Sequence, residues 1–291
     1  MSQPDDLGHP PSGLLVVDKP PGPTSHDVVE VCRGLFSVRK VGHAGTLDPP
    51  ATGILLVGLG KATRLLPFLQ SLAKSYRATV AFGLATTTQD ATGEVVEERA
   101  CEFGQEELSR AASRFVGEIS QVPPMVSAVK IGGEPLYRAA RRGEEVVRPA
   151  RKLRIYELAI ESFDAEGWTV TIFVRCSSGT YIRTLASDLG EDLGCGAHLR
   201  ELRRLQVGSF GEAEAVSLDR LASLATEDRA GKVMPMRRAM RDFPSVTVEG
   251  EDLRAVLHGR PLTEAPAPAR GGELTVLARP RAGDLAPHQA G

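Results

Sequence analysis

Asp48 is the residue around which a chemistry can be built. It sits in Gly42-His43-Ala44-Gly45-Thr46-Leu47-Asp48-Pro49-Pro50-Ala51-Thr52-Gly53, where three glycines and two prolines in twelve residues mark a tightly shaped loop. A carboxylate on a backbone with so little freedom is held at a fixed position, ready to stabilise positive charge or to attack an electrophilic carbon. The same composition also describes a surface turn whose aspartate supports its own backbone. A buried carboxylate without a partner tends to protonate. Arg183, in Gly179-Thr180-Tyr181-Ile182-Arg183, can supply the compensating charge through a planar fork that stays charged. A solvated arginine at a helix start fits that pattern at least as well. His43 shares the loop with Asp48, but no second His, Cys or carboxylate follows at metal spacing, so no metal site is expected. Asp90, in Thr88-Gln89-Asp90-Ala91-Thr92-Gly93, belongs to a turn.

Periodicity outlines the elements that must carry these residues. The strand Leu14–Val17 runs into the turn Asp18-Lys19-Pro20-Pro21-Gly22, and Thr24-Ser25-His26-Asp27 has the form of a capping box opening a helix with Val28, Val31, Cys32 and Leu35. A strand over Ile54–Val57 anchors the Asp48 loop. Tyr76, Ala78, Val80, Phe82 and Leu84 alternate as one face of a strand, and Trp168, Val170, Ile172, Val174 and Cys176 as one face of another. Ile182, Leu185, Ala186 and Leu189 recur at helical spacing after the loop Ser177-Ser178-Gly179-Thr180. By this pattern Tyr76, Tyr181 and Leu202 read as core residues. Strands and helices interleave without a regular repeat, which points to an α+β fold with a central mixed, mostly antiparallel sheet. Residues 1–12 read as a polar, proline-rich tail. Near Phe243-Pro244 the composition shifts. Val246–Val248, a helix at about 251–258 and a strand at 274–277 then suggest a small unit that packs on the main domain.

The whole-chain charge is −2, so no polyanionic partner is signalled globally and any basic surface must be local. One exists: between Lys130 and Arg154 stand Lys130, Arg138, Arg141, Arg142, Arg148, Arg151, Lys152 and Arg154 against three glutamates, with a second cluster at Arg200, Arg203 and Arg204. That concentration suits a phosphate-binding strip, although solvated basic helix faces are common. Four scattered cysteines without a C-x-x-C pair suggest a reducing compartment. With no signal peptide and no apolar run long enough to span a bilayer, a soluble cytoplasmic protein is expected.

The wording of the Asp48 loop adds to this. GHAGTLDPPATG closely resembles the signature G-H-x-G-T-L-D-P-x-A-T-G of the TruB family of bacterial tRNA pseudouridine synthases. Further stretches agree with that family in order: VDKPPGPTSHDVV, GKATRLLPFL, KSYRATVAFGLATTTQDATGEV, QVPPMVSAVKIGGEPLYRAARRG, CSSGTYIRTLASDLG and GAHLRELRRLQVG. The resemblance covers roughly residues 13–240. Pro50 departs from it, standing where the family usually has an apolar residue such as leucine. VTVEGEDLRAVLHGRPL is similar to part of a PUA-type RNA-binding domain, but the chain ends before the usual final strands.

The resemblance implies a pseudouridine synthase catalytic domain over 13–240 with a thumb-like RNA-gripping segment at about 124–152, and a short PUA-like region at 241–291. It implies that the T-loop uridine of tRNA, at position 55, is flipped out and isomerised. The bond from uracil N1 to ribose C1′ breaks and C5 joins C1′, with nothing oxidised and no water consumed, so no redox cofactor is needed. Asp48 becomes the essential carboxylate, Arg183 its ion-pair partner, and Tyr76 the ring that stacks on the base. His43, Tyr181, Leu202, Asp90 and Lys19 fall among the substrate-binding residues, His43 filling the space the nucleotide leaves. Lys130, Arg138, Arg141, Arg142, Arg148 and Arg151 grip the RNA backbone. A monomer needing no protein partner is expected. Three rivals stand beside this reading: a guide-RNA-dependent synthase of the same fold, a tRNA-binding or folding protein with or without catalysis, and a glycosidase-like hydrolase, for which no second carboxylate emerges beside Asp48.

Overall fold

A computed structural model describes residues 11–124, 130–131, 134–135, 142, 144, 146–247, 254–255, 258, 260 and 275–276. The chain divides into two compact units between Met234 and Pro235.

The first unit is built on a nine-stranded sheet. Its strands are β1 (Gly13–Lys19), β2 (Val41–His43), β3 (Thr52–Leu59), β4 (Lys74–Phe82), β7 (Gly117–Gln121), β10 (Arg151–Asp164), β11 (Thr169–Cys176), β12 (Ala197–Val207) and β13 (Val216–Ser217). The hairpins β5 (Leu84–Thr86) with β6 (Val95–Glu98), and β8 (Lys130–Ile131) with β9 (Glu134–Pro135), stand apart from it. Across the sheet the order is β13-β1-β3-β12-β4-β11-β10-β7, with β2 beside β3. The pairs β1/β13 and β3/β12 are parallel and the others antiparallel, giving the mixed α+β architecture read from the sequence.

Two hydrophobic cores form. On one side β1 and β3, apolar almost throughout, meet helix α1 (Ser25–Phe36). Leu15, Val17, Leu55 and Val57 pack there with Val28, Cys32 and Phe36. The capping box of α1 is present: the Thr24 hydroxyl accepts from the Asp27 N–H at 3.1 Å and the Asp27 carboxylate accepts from the Thr24 N–H at 2.8 Å. Of the helical residues expected there, Val31 faces solvent. On the other side Ala78, Val80 and Phe82 of β4 and Val170, Ile172, Val174 and Cys176 of β11 bury the faces their alternation marks. They pack against Leu185, Ala186 and Leu189 of a later helix (Ile182–Asp192).

Between these helices in the chain lie α2 (Leu66–Ser71) and α3 (Gln105–Arg114), so Ile182–Asp192 is α4. Two expected strand ends fall short. Gly83, at φ 91°, turns the chain after Phe82, so Leu84 opens β5 instead of extending β4. Trp168, at φ 46°, lies in the turn before β11 and packs on the Phe103 ring at 5.1 Å.

In the second unit Met236–Ala239 is a short helix, and Val246–Thr247 pairs antiparallel with Thr275–Val276. Of the helix expected at 251–258, Arg254 and Ala255 are helical, and the remainder lies mostly outside the described residues. Among the described residues no helix is long and apolar enough to cross a membrane.

Candidate active site

The Asp48 loop bridges β2 and β3 and is tied down from three elements. Lys19, at the end of β1, is fully buried and donates from Nζ to the carbonyls of Pro20 (2.8 Å), Pro49 (3.0 Å) and Ala51 (2.8 Å). Burial pushes its ammonium down to about 8, against the pull of Asp48. Ser25, in the first turn of α1, accepts from the Leu47 N–H at 2.8 Å and donates to the Leu47 carbonyl at 3.0 Å, pinning the residue before the carboxylate. Arg204, on β12, is 1% exposed. It donates from Nε to the Ile54 carbonyl (2.6 Å) and from its two terminal nitrogens to the carbonyls of Thr46 (3.3 Å) and Gly45 (3.2 Å). Backbone bonds close the loop: Gly22 N–H to Pro49 O at 2.9 Å, and Ala51 N–H to Asp48 O at 3.1 Å. Gly53 is required where β3 meets β12. At φ 101°, a side-chain carbon there would stand 2.1 Å from the Arg204 carbonyl.

Arg183 stands in the first turn of α4, 5% exposed, between two carboxylates: Asp48 at 3.7 Å and Asp90 at 3.5 Å. Its guanidinium also lies over the Tyr181 ring, 5.9 Å from the centroid. The two carboxylates are set apart by their surroundings. Desolvation raises the pKa of Asp48, reinforced by Asp90 and opposed by Arg183, Lys19 and Arg204. Burial also raises Asp90, but hydrogen bonds from Thr92 and Thr88 and the charge of Arg183 outweigh it and leave Asp90 below its ordinary value. Asp90 is therefore the fixed anion that holds Arg183, and Asp48 the more basic of the pair.

Asp48 opens into a cavity of about 540 Å³, within the range of small-molecule sites. Tyr76, Tyr181, Leu202, Arg183 and Arg151 share its wall, as do Lys74 and Arg204. Burial drives the Tyr76 hydroxyl up to about 12, against the charge of Arg204, so at neutral pH it is an uncharged phenol. Lys74 donates to the carbonyls of Gln70 (2.8 Å) and Leu72 (2.7 Å), and burial lowers its ammonium to about 8. Gln121, 2% exposed on β7, brackets the Tyr181 backbone: its Nε2 donates to Tyr181 O at 3.2 Å and its Oε1 accepts from Tyr181 N–H at 3.0 Å.

Asp48, Tyr76, Arg183, Tyr181 and Leu202 thus line one cavity, although pattern alone reads Tyr76, Tyr181 and Leu202 as core residues and the five are spread over 155 residues, from Asp48 to Leu202. Others are placed differently. Lys19 lies beneath the loop and Asp90 behind Arg183, outside the cavity wall. His43 is on β2, also outside the wall, its ring kept neutral by burial and by Arg204. Of the basic strip, Arg151 reaches the cavity wall, Arg148 donates to the Pro123 carbonyl at 3.0 Å, and Arg142 pairs with Glu144 at 2.7 Å. Lys130 contributes backbone to β8, while Arg138 and Arg141 lie outside the described residues.

The second basic cluster is not one surface. Arg203 and Arg204 point to opposite faces of β12. Arg203 binds Asp18 at 3.0 Å and Glu212 at 2.7 Å, and Arg204 is enclosed. The alternation Leu202-Arg203-Arg204 already carries that signal, because residues two apart share a face. Lys74 and Gln121 gave no comparable sign. Among the described residues no group of three or more metal-ligating side chains gathers.

The profile of the TruB family pseudouridylate synthase N-terminal domain matches residues 33–182, and that of the tRNA pseudouridylate synthase B C-terminal domain matches residues 183–256. The tRNA pseudouridine synthase B of Chromobacterium violaceum is 47% identical over 262 residues, covering 90% of this chain and 85% of that protein. The one from Thermobifida fusca is 45% identical over 289 residues, covering 94% and 97%. Among solved structures, a Cbf5-Nop10-Gar1 complex contains a chain that superimposes with TM-score 0.67 at 31% identity, covering 85% of this chain and 67% of that one. With both profiles in register and relatives this similar along almost their whole length, the chain belongs to the TruB family of pseudouridylate synthases.

Proposed function

We propose that this protein is a tRNA pseudouridine synthase that isomerises the T-loop uridine at position 55, with Asp48 as its essential carboxylate. The observation that carries the reading is the cavity itself: a carboxylate of raised pKa, held by Arg183, faces a tyrosine, a leucine and a second tyrosine across a space suited to a nucleobase.

The uridine leaves its stack and enters between Tyr76, Tyr181 and Leu202, where stacking contacts of ~1–3 kcal/mol each offset part of the cost of flipping. Asp48 meets C1′ as the N1–C1′ bond breaks, in the way carboxylates serve at glycosidic carbons. The enclosed base turns, C5 joins C1′, the C5 proton is lost and N1 ends protonated. Atoms balance without water or redox change. Tyr76, neutral at working pH, serves as a stacking surface and a proton-bearing hydroxyl rather than as a standing base. Phosphates are held by the basic segment that includes Arg151, and loop shape with flipped bases supplies specificity.

The test uses an unmodified tRNA transcript with mapping of pseudouridine. Conversion at position 55 by the wild-type chain supports the reading. RNA binding without any conversion would instead favour the folding-protein alternative. Affinity for tRNA should fall steeply with salt, and a flat response would remove the phosphate-binding role.

A further inference from the structure

Arg204 does more than its position in a basic cluster suggests. Its guanidinium comes from β12, the strand that joins the two halves of the sheet. That join is short: β3 and β12 pair only at Arg203↔Thr52 and Arg204↔Gly53. On its other edge β12 pairs with β4 from Ala197↔Phe82 to Val207↔Lys74, and there Arg204 stands directly opposite Tyr76. The side chain therefore shares a face with Tyr76 while its donors reach the carbonyls of Gly45, Thr46 and Ile54 on the far half. Only a planar fork with donors on several edges can hold three carbonyls of the far half while standing beside the phenol, and a lysine ammonium cannot match that geometry.

We propose that Arg204 is a positioning residue for the reaction, clamping the Asp48 loop to Tyr76 so that the carboxylate and the phenol hydroxyl meet the same nucleotide from opposite halves of the sheet. The proposal rests on the reading of the cavity as the uridine site. The guanidinium and the phenol stand opposite each other across the β12/β4 ladder and line the same cavity wall. Asp48, whose loop hangs on the same guanidinium, is fixed in distance from that hydroxyl.

Arg204→Lys separates this role from two others. The clamp predicts kcat on a tRNA transcript lowered tenfold or more, KM within about twofold of wild type, and an unchanged salt slope of tRNA binding. A phosphate contact would reduce that slope by about 1 and raise KM. A purely structural residue would lower the melting temperature while the folded protein kept its kcat. Either result overturns the proposal.

A second readout does not involve RNA. In protein carrying 3-fluorotyrosine, the Tyr76 resonance is identified among the four tyrosines by its loss in Tyr76→Phe. It must move in Arg204→Lys, and an unmoved resonance overturns the clamp whether or not the protein modifies tRNA. Should Arg204→Lys fail to fold, wild-type protein carries the test. The Nε proton of Arg204, bonded to Ile54 O, must be strongly protected from exchange, and rapid exchange contradicts the clamp.

Discussion

The two halves of the central sheet differ in what they contribute and how firmly each is built. In one, β1 and β3 pair along their full length under α1, and this half carries the Asp48 loop on the straps of Lys19 and Ser25. In the other, β4, β11 and α4 form a separate core that presents Tyr76, Tyr181 and the Arg183–Asp90 pair. Each half has its own buried apolar cluster, and the seam between them is a two-residue parallel pairing crossed by Arg183 and Arg204, with Leu47 and Ala51 of the Asp48 loop packed into the second cluster. Stability is thus distributed over two cores, while the chemistry is concentrated where they touch. Changes at the seam should lower activity out of proportion to stability, and changes within one half should do the reverse.

Arg183→Gln is the most severe break. It removes the cation shared by two carboxylates, which costs about 3 kcal/mol of stability in a buried site and about 100-fold or more in kcat. It also shifts the pH profile. Asp48's pKa is raised by burial and held down by Arg183, so removing the arginine raises it further and moves the acid limb of activity to higher pH. Rate–pH profiles of both proteins measure this. The stability signs differ between the partners. Asp48, raised in the fold, contributes stability that is present in acid and lost as pH rises through its folded value. Asp90, depressed, contributes stability that is lost as pH falls through its own.

Gly53→Ala attacks the seam from the backbone. A methyl group 2.1 Å from the Arg204 carbonyl, at φ 101°, forces β3 and β12 apart. Chemical denaturation should show a loss of about 2–3 kcal/mol, accompanied by a drop in kcat of tenfold or more. Equal activity at reduced stability would mean that the seam tolerates separation. Ser25→Ala works within one half: losing both bonds to Leu47 should cost about 1–2 kcal/mol, with a smaller loss of activity than Gly53→Ala. Arg203→Ala is the mildest. Its ion pairs with Asp18 and Glu212 are a third or more open to solvent, so at most about 0.5 kcal/mol and no change in kcat are expected from denaturation and turnover assays.

Much of each half was legible in the sequence because its signals are local. The capping box at Thr24, the alternation from Tyr76 to Phe82 and from Val170 to Cys176, and the helical spacing from Ile182 all survive in the structure. The seam was less legible because it depends on which strands become neighbours. Lys19 reads as a turn residue until Pro49 and Ala51 are brought above it. Arg204 reads as part of a basic cluster until β12 is placed between β3 and β4. Asp90 reads as a turn aspartate, which it is, but its partner lies on α4, 93 residues further along. Periodicity assigns a side chain to a face, and only the strand order says what that face meets.

The most direct measurement of the central claim is pseudouridine formation in an unmodified tRNA transcript by wild type and by Asp48→Asn, with tRNA affinity measured for both. The account predicts conversion by wild type and none by the variant, with affinity within a few-fold and the fold intact. Product formed at the same rate by both proteins would contradict it.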